Sequence, residues 1–420
     1  MMNGSNRTVV LSLACFLSAL VAATATPASP ARAATFTVTK TADTNDGVCD
    51  TDCSLREAIV AANASPGADT VVVPAGTYSL TLLGSGEDSA ASGDLDILDD
   101  VAIQGAGALT TIVDAAPLAA GGAADRVFHI PFSGHAGAVS ISGLTIQGGG
   151  GVNAGAGVDN DSLHTSLTIT DCTIQKNSVA LDGGGISTAG PLVVDRSTLT
   201  LNSAGTGGGA LIAGAFFEET SATITNSTIT ANHSGDFCGG LWWFGQLTLV
   251  SSTVSGDTQS RFGDLYTFDG GATVQNTLID GSCTAAIGSQ GGNLESPGDT
   301  CSFHQASDQA GVADPMIGAL ASNTGDTPTL ALLPGSPALD AAVTATCPAT
   351  DQRGVPRPQG AACDIGAFER RPGCVASIAT RGRDGRLASF DLGQLAAITT
   401  PLALAGIGWL RRHRQRRAVS

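Results

Sequence analysis

Between about Val139 and Ser282 the chain repeats one pattern six times, and the pattern leaves few folds open. The lines AVSISGLTIQGG, SLTITDCTIQKNS, PLVVDRSTLTLNS, SATITNSTITANH, QLTLVSSTVSGDT and GATVQNTLIDGS share an apolar position at Ile146, Ile174, Leu199, Ile229, Val254 and Ile279. The spacings are 28, 25, 30, 25 and 25 residues. A second apolar position keeps step at Val158, Ile186, Leu211, Leu241 and Leu265, 12 residues later in four lines and 11 in the last. Repetition at this period belongs to solenoids and arrays. Within each line, apolar residues alternate with Ser, Thr and Asn, the period of a strand. Twelve residues hold a strand and a turn but no helix. The expected fold is therefore all-β, a right-handed parallel β-helix whose coils stack about 4.8 Å apart.

Stacking places equivalent residues in ladders. Asn177, Asn202, Asn232 and Asp257 recur at spacings of 25, 30 and 25, and are expected to bond turn backbones from coil to coil. The long spacings locate insertions at Ala213 to Ser221 and near Asp161 to Ser166. Excursions from a regular stack are where binding loops grow.

Charge narrows the class of partner. Residues 34–369 carry 8 Lys/Arg against 35 Asp/Glu, a net of −27, whereas the last 51 residues hold 10 of the 20 basic residues. An acidic body argues against nucleic acid and suits an extracellular protein. Residues 1–33 read as a signal peptide, with Arg7, an apolar run from Val9 to Ala23 and the cleavage site Ala31-Arg32-Ala33. Residues 34–90 follow as an N-terminal cap, in which Ser54 to Asn63 reads as a short amphipathic helix over the open end of the core. Residues 91–282 are the repeats and 283–369 a Gly- and Pro-rich C-terminal module. A linker (370–394) leads to an apolar segment and an Arg-rich tail (395–420). The apolar run Leu395 to Leu410 is a short hydrophobic anchor, with its Arg cluster on the cytoplasmic side.

Two segments carry a family resemblance. TVTKTADTNDGVCDTDCSLREAI, in the cap, resembles the CSLREA-type domain that opens secreted bacterial β-helix proteins. DQRG…CDIGAFE, closing the C-terminal module, resembles the choice-of-anchor Q proteins. The resemblance implies a protein sorted to the envelope or outer surface of a Gram-negative-type bacterium, and implies no chemistry. Gly373-Cys374 before the apolar run resembles the processing site of one sorting subclass.

Without Cys15, nine cysteines remain in an export context that permits disulfides. Proximity favours Cys49–Cys53, Cys283–Cys301 and Cys347–Cys363, although connectivity is not fixed by sequence. Cys172 and Cys238 sit at different phases of the repeat and are expected not to pair. No His or Cys cluster has metal spacing, the six His read as incidental, and no catalytic residue or cofactor is assigned. Asp94, Asp96, Asp99 and Asp100 are four acids in seven residues. They read as turn residues on a solvated edge, with Ca²⁺ as the other option.

The candidate binding surface is aromatic. Aligning CGGLWWFG with FGDLYTFD places Leu241 over Leu265 in the core and sends Trp242, Phe244, Tyr266 and Phe268 outward. Phe216, Phe217, Glu218 and Glu219 lie in the insertion one coil earlier, and Asp236, Asp264 and Asp269 edge the strip. Such a strip can stack sugar rings or meet a protein. The expected function is that of an adhesive or structural surface protein, its partner a polysaccharide or another surface protein. The alternative is a polysaccharide lyase or hydrolase, which a convergent group of carboxylates near the strip would favour.

Overall fold

The computed structural model describes residues 32–132, 137–213, 220–259, 261–268, 271–284, 287–371, 378–381 and 387–390. Residues 1–31 of the expected signal peptide, Cys374 and the 395–410 run lie outside them. Among the described residues no helix is long and apolar enough to cross a membrane.

The chain winds as a parallel β-helix with three long faces. The first sheet begins with Thr35–Thr37, Asp69–Val73 and Val101–Gly105 and ends at Ile287–Ser289. The second counts nine strands from Gly76–Ser79 to Leu294–Pro297. The third runs from Leu95–Asp96 through Phe128–Ile130, Val158–Asn160, Ile186–Thr188 and Leu211–Ala213 to Cys283–Thr284. Both apolar registers pair residue for residue: Ile146, Ile174, Leu199, Ile229, Val254 and Ile279 stack in the second sheet. Val158, Ile186, Leu211, Leu241 and Leu265 stack in the third. All are essentially without solvent contact. Leu241–Val250 is one strand shared by the third and first sheets. It turns the corner at Gly245, whose φ is +109° and whose missing Cβ would meet the Thr220 carbonyl oxygen.

Polar ladders hold the corners. Asn177, Asn202 and Asn232 each accept, at Oδ1, the backbone N–H of the preceding coil (Gly149, Asn177 and Asn202) and donate Nδ2 to Ile146, Ile174 and Leu199 carbonyls. A second ladder, absent from the sequence reading, marks the corner between first and second sheets. Asp171, Arg196, Asn226, Ser251 and Asn276 adopt positive φ there. The N–H groups of Cys172, Ser197, Ser227 and Ser252 donate to the next coil's Ser197, Ser227, Ser252 and Thr277 hydroxyls.

The helix Leu55–Ala64 starts with a capping box between Ser54 and Glu57, and Leu55, Ala58, Ile59 and Ala62 join the main core. Arg56 is fully buried, paired with Asp43 and donating to the Ala90, Gly93 and Asp94 carbonyls. The three expected disulfides form, and Cys172 and Cys238 are buried free thiols.

After Leu294–Pro297 the chain leaves the stack, forms the antiparallel hairpin Ile317–Ala321/Thr329–Leu332, and returns along the outer face of the second sheet. Gln352 there bonds Thr198 and Thr228, and the Ala367 N–H donates to Thr253 Oγ1. The DQRG…CDIGAFE residues form the clamp. Asp351 accepts from the Arg353, Val355 and Glu369 N–H groups, Arg357 pairs with Glu369, and Arg353 lies 3.6 Å over the Phe368 ring. Within residues 370–394, Ile378–Arg381 pairs antiparallel with Leu387–Phe390.

Asp257 is the one carboxylate in the Asn ladder. Its Oδ1 takes the Asn232 N–H, while buried Oδ2, where an Asn would donate, has no hydrogen-bond partner among the described residues. Burial, then the charge of Asp264, holds its carboxyl well above the ordinary range. The folded state therefore retains a proton that the unfolded state releases, and stability falls as pH rises from the ordinary carboxylate range toward the raised value. Asp257→Asn is expected to stabilise the fold by about 1–3 kcal/mol at pH 7 and to flatten this decline. Thermal unfolding at pH 4 and pH 7 checks both.

Candidate functional site

Alternation along the third sheet sends Leu95, Phe128, Val158, Ile186, Leu211, Leu241 and Leu265 into the core. The next residue of each strand faces outward. Register aligns these as one ladder: Asp96, His129, Asp159, Ser187, Ile212, Trp242, Tyr266 and Thr284. From Asp96 to Tyr266 it covers six coil steps, about 29 Å. Its first half is ionic and its second aromatic.

In the ionic half, His129 is 5% exposed. Its Nδ1 lies 2.9 Å from Asp96 Oδ1, and its Nε2 lies 3.4 Å from Asp161 Oδ2. Asp88, on the loop before the Asp96 strand, stands 3.6 Å from Nδ1. Arg126 directs Nε to Asp159 Oδ2 at 2.9 Å and Nη1 to Asp94 Oδ2 at 3.5 Å. Asp94 is positioned from behind, since its carbonyl accepts Arg56 of the helix. Six carboxylates, with Asp125 beside Asp94, thus converge on one arginine and one histidine. Burial, then the Asp96 charge, pushes the Asp94 carboxyl up to about 8. Burial and Asp161 push Asp159 up to about 6. Burial opposes protonation of His129, but the hydrogen bonds to Asp161 and Asp96 prevail and raise it to about 10. Acids raised toward neutrality beside fixed cations can donate or accept protons at working pH.

This corrects the reading of the acids and the histidines. Asp94 and Asp96 are buried, not a solvated edge, and they diverge from Asp99 and Asp100, which serve the next turn by accepting the N–H groups of Asp100 and Ala138. His129 is the centre of the cluster. The sequence signal was an upstream extension of the second register: DLDI, VFHI and VDND place Leu95, Phe128 and Val158 over one another. Spacings of 33 and 30 concealed it.

In the aromatic half, Trp242, Phe244 and Tyr266 are brought together, with ring centroids 5.5 Å (Trp242–Phe244) and 6.4 Å (Trp242–Tyr266) apart. Two rings missed in the sequence complete the group. Phe237 stacks on Trp242 at 4.9 Å and on Phe262 at 5.4 Å, and Phe262 stacks on Tyr266 at 4.8 Å. Their signal was a shared phase, since each precedes its core leucine by three or four residues. Arg261 lies over Phe237 and pairs with Asp236. Trp242, expected to be exposed, is only 7% exposed because it packs on Ile212 and Cys238 beneath the other rings. Tyr266, Phe244, Phe237 and Phe262 are half-buried. Asp264 is not on the rim: it is buried, its Oδ2 accepts the Ser282 N–H, and burial pushes it up to about 6. The Phe268 backbone pairs with Phe244. The Phe268 side chain, Phe216, Phe217, Glu218, Glu219 and Asp269 lie outside what the structure describes.

No family model matches the chain, and no curated protein matches it. Among solved structures the chain is similar to a pectate lyase, Pel9A, at 13% identity and a TM-score of 0.36, over 80% of this chain and 96% of that one. At that distance the likeness says nothing of chemistry.

Trp242→Ala is expected to cost about 3–5 kcal/mol, as for a buried aromatic. Tyr266→Ala is expected to stay within about 1 kcal/mol of wild type. Denaturant unfolding of the two variants separates the ring that supports the face from the ring that the face presents.

Proposed function

We propose that this chain is an exported β-helix protein displayed at the cell surface that binds a carbohydrate chain along the outer face of the third sheet. The observation that carries the reading is the single outward ladder, half-buried stacked rings at one end and converging carboxylates at the other. Rings offer faces to sugars, and carboxylates offer acceptors to hydroxyl groups. The disulfides are consistent with export. Membership of the CSLREA and choice-of-anchor Q group, anchoring by residues 395–410 and processing at Cys374 belong to the same proposal. In it the helix Leu55–Ala64 closes the N-terminal end of the core.

A second reading has its own support. Asp94 at about 8 and Asp159 at about 6, beside Arg126 and His129, are placed to move protons near neutral pH, as a polysaccharide hydrolase or lyase requires. One experiment addresses both. The purified protein is applied to a polysaccharide array, with and without Ca²⁺, and read for retention and for new reducing or unsaturated ends. Retention without product, lost at least tenfold in Tyr266→Ala and Phe262→Ala, is the expected outcome. Product formation abolished by Asp159→Asn would establish the enzyme instead. No retention on any glycan would refute both.

A further inference from the structure

The His129 imidazole is held as a metal-ligating histidine is held. Nδ1 faces the fully buried Asp96 carboxylate at 2.9 Å, which fixes the ring and orients Nε2 toward a metal ion that would displace its proton. His129, Asp159 and Asp161 each offer a ligand atom, all within 4.8 Å of one another. Nε2 and Asp161 Oδ2 stand 3.4 Å apart. Two donors bound to one ion at about 2.1 Å stand about 3.0–3.4 Å apart, so that pair is already at ligand spacing.

A separate feature concerns Asp159. The side chain is 2% exposed, and Arg126 takes its Oδ2. Its other oxygen, Oδ1, is buried and meets no donor at full hydrogen-bond geometry among the described residues, the Ser187 hydroxyl of the next coil being the group that helps hold the carboxylate charged. A buried carboxylate oxygen left bare is costly unless something positive completes it. The cluster has room for positive charge, since six carboxylates face one arginine and one histidine. Asp161 is 51% exposed, so the open side admits water as further ligands.

We infer that His129 Nε2, Asp159 and Asp161 bind a first-row divalent transition-metal ion, with Asp96 orienting the imidazole from behind. One imidazole nitrogen and two carboxylates suit Zn²⁺ or Mn²⁺, whereas Ca²⁺ prefers six to eight oxygens. The inference is independent of whether the face binds a glycan.

The test uses the full-length protein, stripped with chelator and titrated with Zn²⁺, Mn²⁺ and Co²⁺ by calorimetry, with Co²⁺ absorption as a second readout. One equivalent is expected to bind, and the Co²⁺ spectrum should report nitrogen ligation. His129→Ala should weaken binding at least 100-fold. Asp96→Asn should weaken it about 10- to 100-fold. Asp161→Asn, at an exposed position where the fold is not at stake, should weaken it at least tenfold and serves if the buried variants fail to fold. Absence of binding to the wild type, or binding that Asp161→Asn leaves unchanged, would overturn the assignment. So would tighter binding of Ca²⁺ than of the transition ions.

Discussion

Everything in this molecule depends on one constraint: each coil's backbone hydrogen bonds are made to the coils above and below. A β-helix has no local pairing to fall back on, so every coil must present the same backbone path at the same height. The Asn ladder and the Ser/Thr ladder enforce that path at the corners, where strand pairing lapses. Each side chain takes a neighbouring coil's N–H, and the positive φ at Asp171, Arg196, Asn226, Ser251 and Asn276 sets the turn. Extra residues are then tolerated only in the gaps between strands, because inside a strand they would break two ladders at once.

The same constraint builds the candidate site. Because residues at one height stack, a choice of residue type in successive coils becomes a stripe on the surface. Asp, His and Asp in three coils give a charged stripe, and Ile, Trp and Tyr in three later coils give an apolar one. Neighbouring coils bring the stripe's members within hydrogen-bond or ring-contact distance without any loop to position them. Rigidity of this kind favours a binding or chemical site, since the groups are held by the scaffold itself.

The core was legible because apolar periodicity and coil period coincide: Ile146 to Ile279 and Val158 to Leu265 pair as their spacings predict. The helix and the three disulfides were legible from local chemistry. The ionic cluster was not, because its coils are spaced 33 and 30 residues apart from Leu95 to Phe128 to Val158, outside the 25-residue rhythm. Burial was also misjudged. Period two gives the face a side chain points to, but not what the neighbouring turns lay over it, so Trp242 and Asp264 were placed outside when rings and strands cover them. The return of residues 317–369 along the second sheet was invisible for a related reason. Thr198, Thr228 and Thr253 look like solvated positions, yet their hydroxyls are the anchoring points of the module.

Two ionic networks in this chain show why burial of charge alone does not mark a functional site. In the C-terminal clamp every carboxylate oxygen of Asp351 and Glu369 is used: backbone N–H groups and arginines meet them from all sides. A ligand has no oxygen of Asp351 or Glu369 left to take there. In the third-sheet cluster, by contrast, Asp94 Oδ1 and Asp159 Oδ1 are buried with no donor at full hydrogen-bond geometry among the described residues, and the acids outnumber the cations. Burying charge costs more than it returns unless partners complete it, so a clamp needs completion and an open cluster is a net cost to the fold. The clamp therefore carries structure, and the third-sheet cluster is the part of the described chain left open to a ligand.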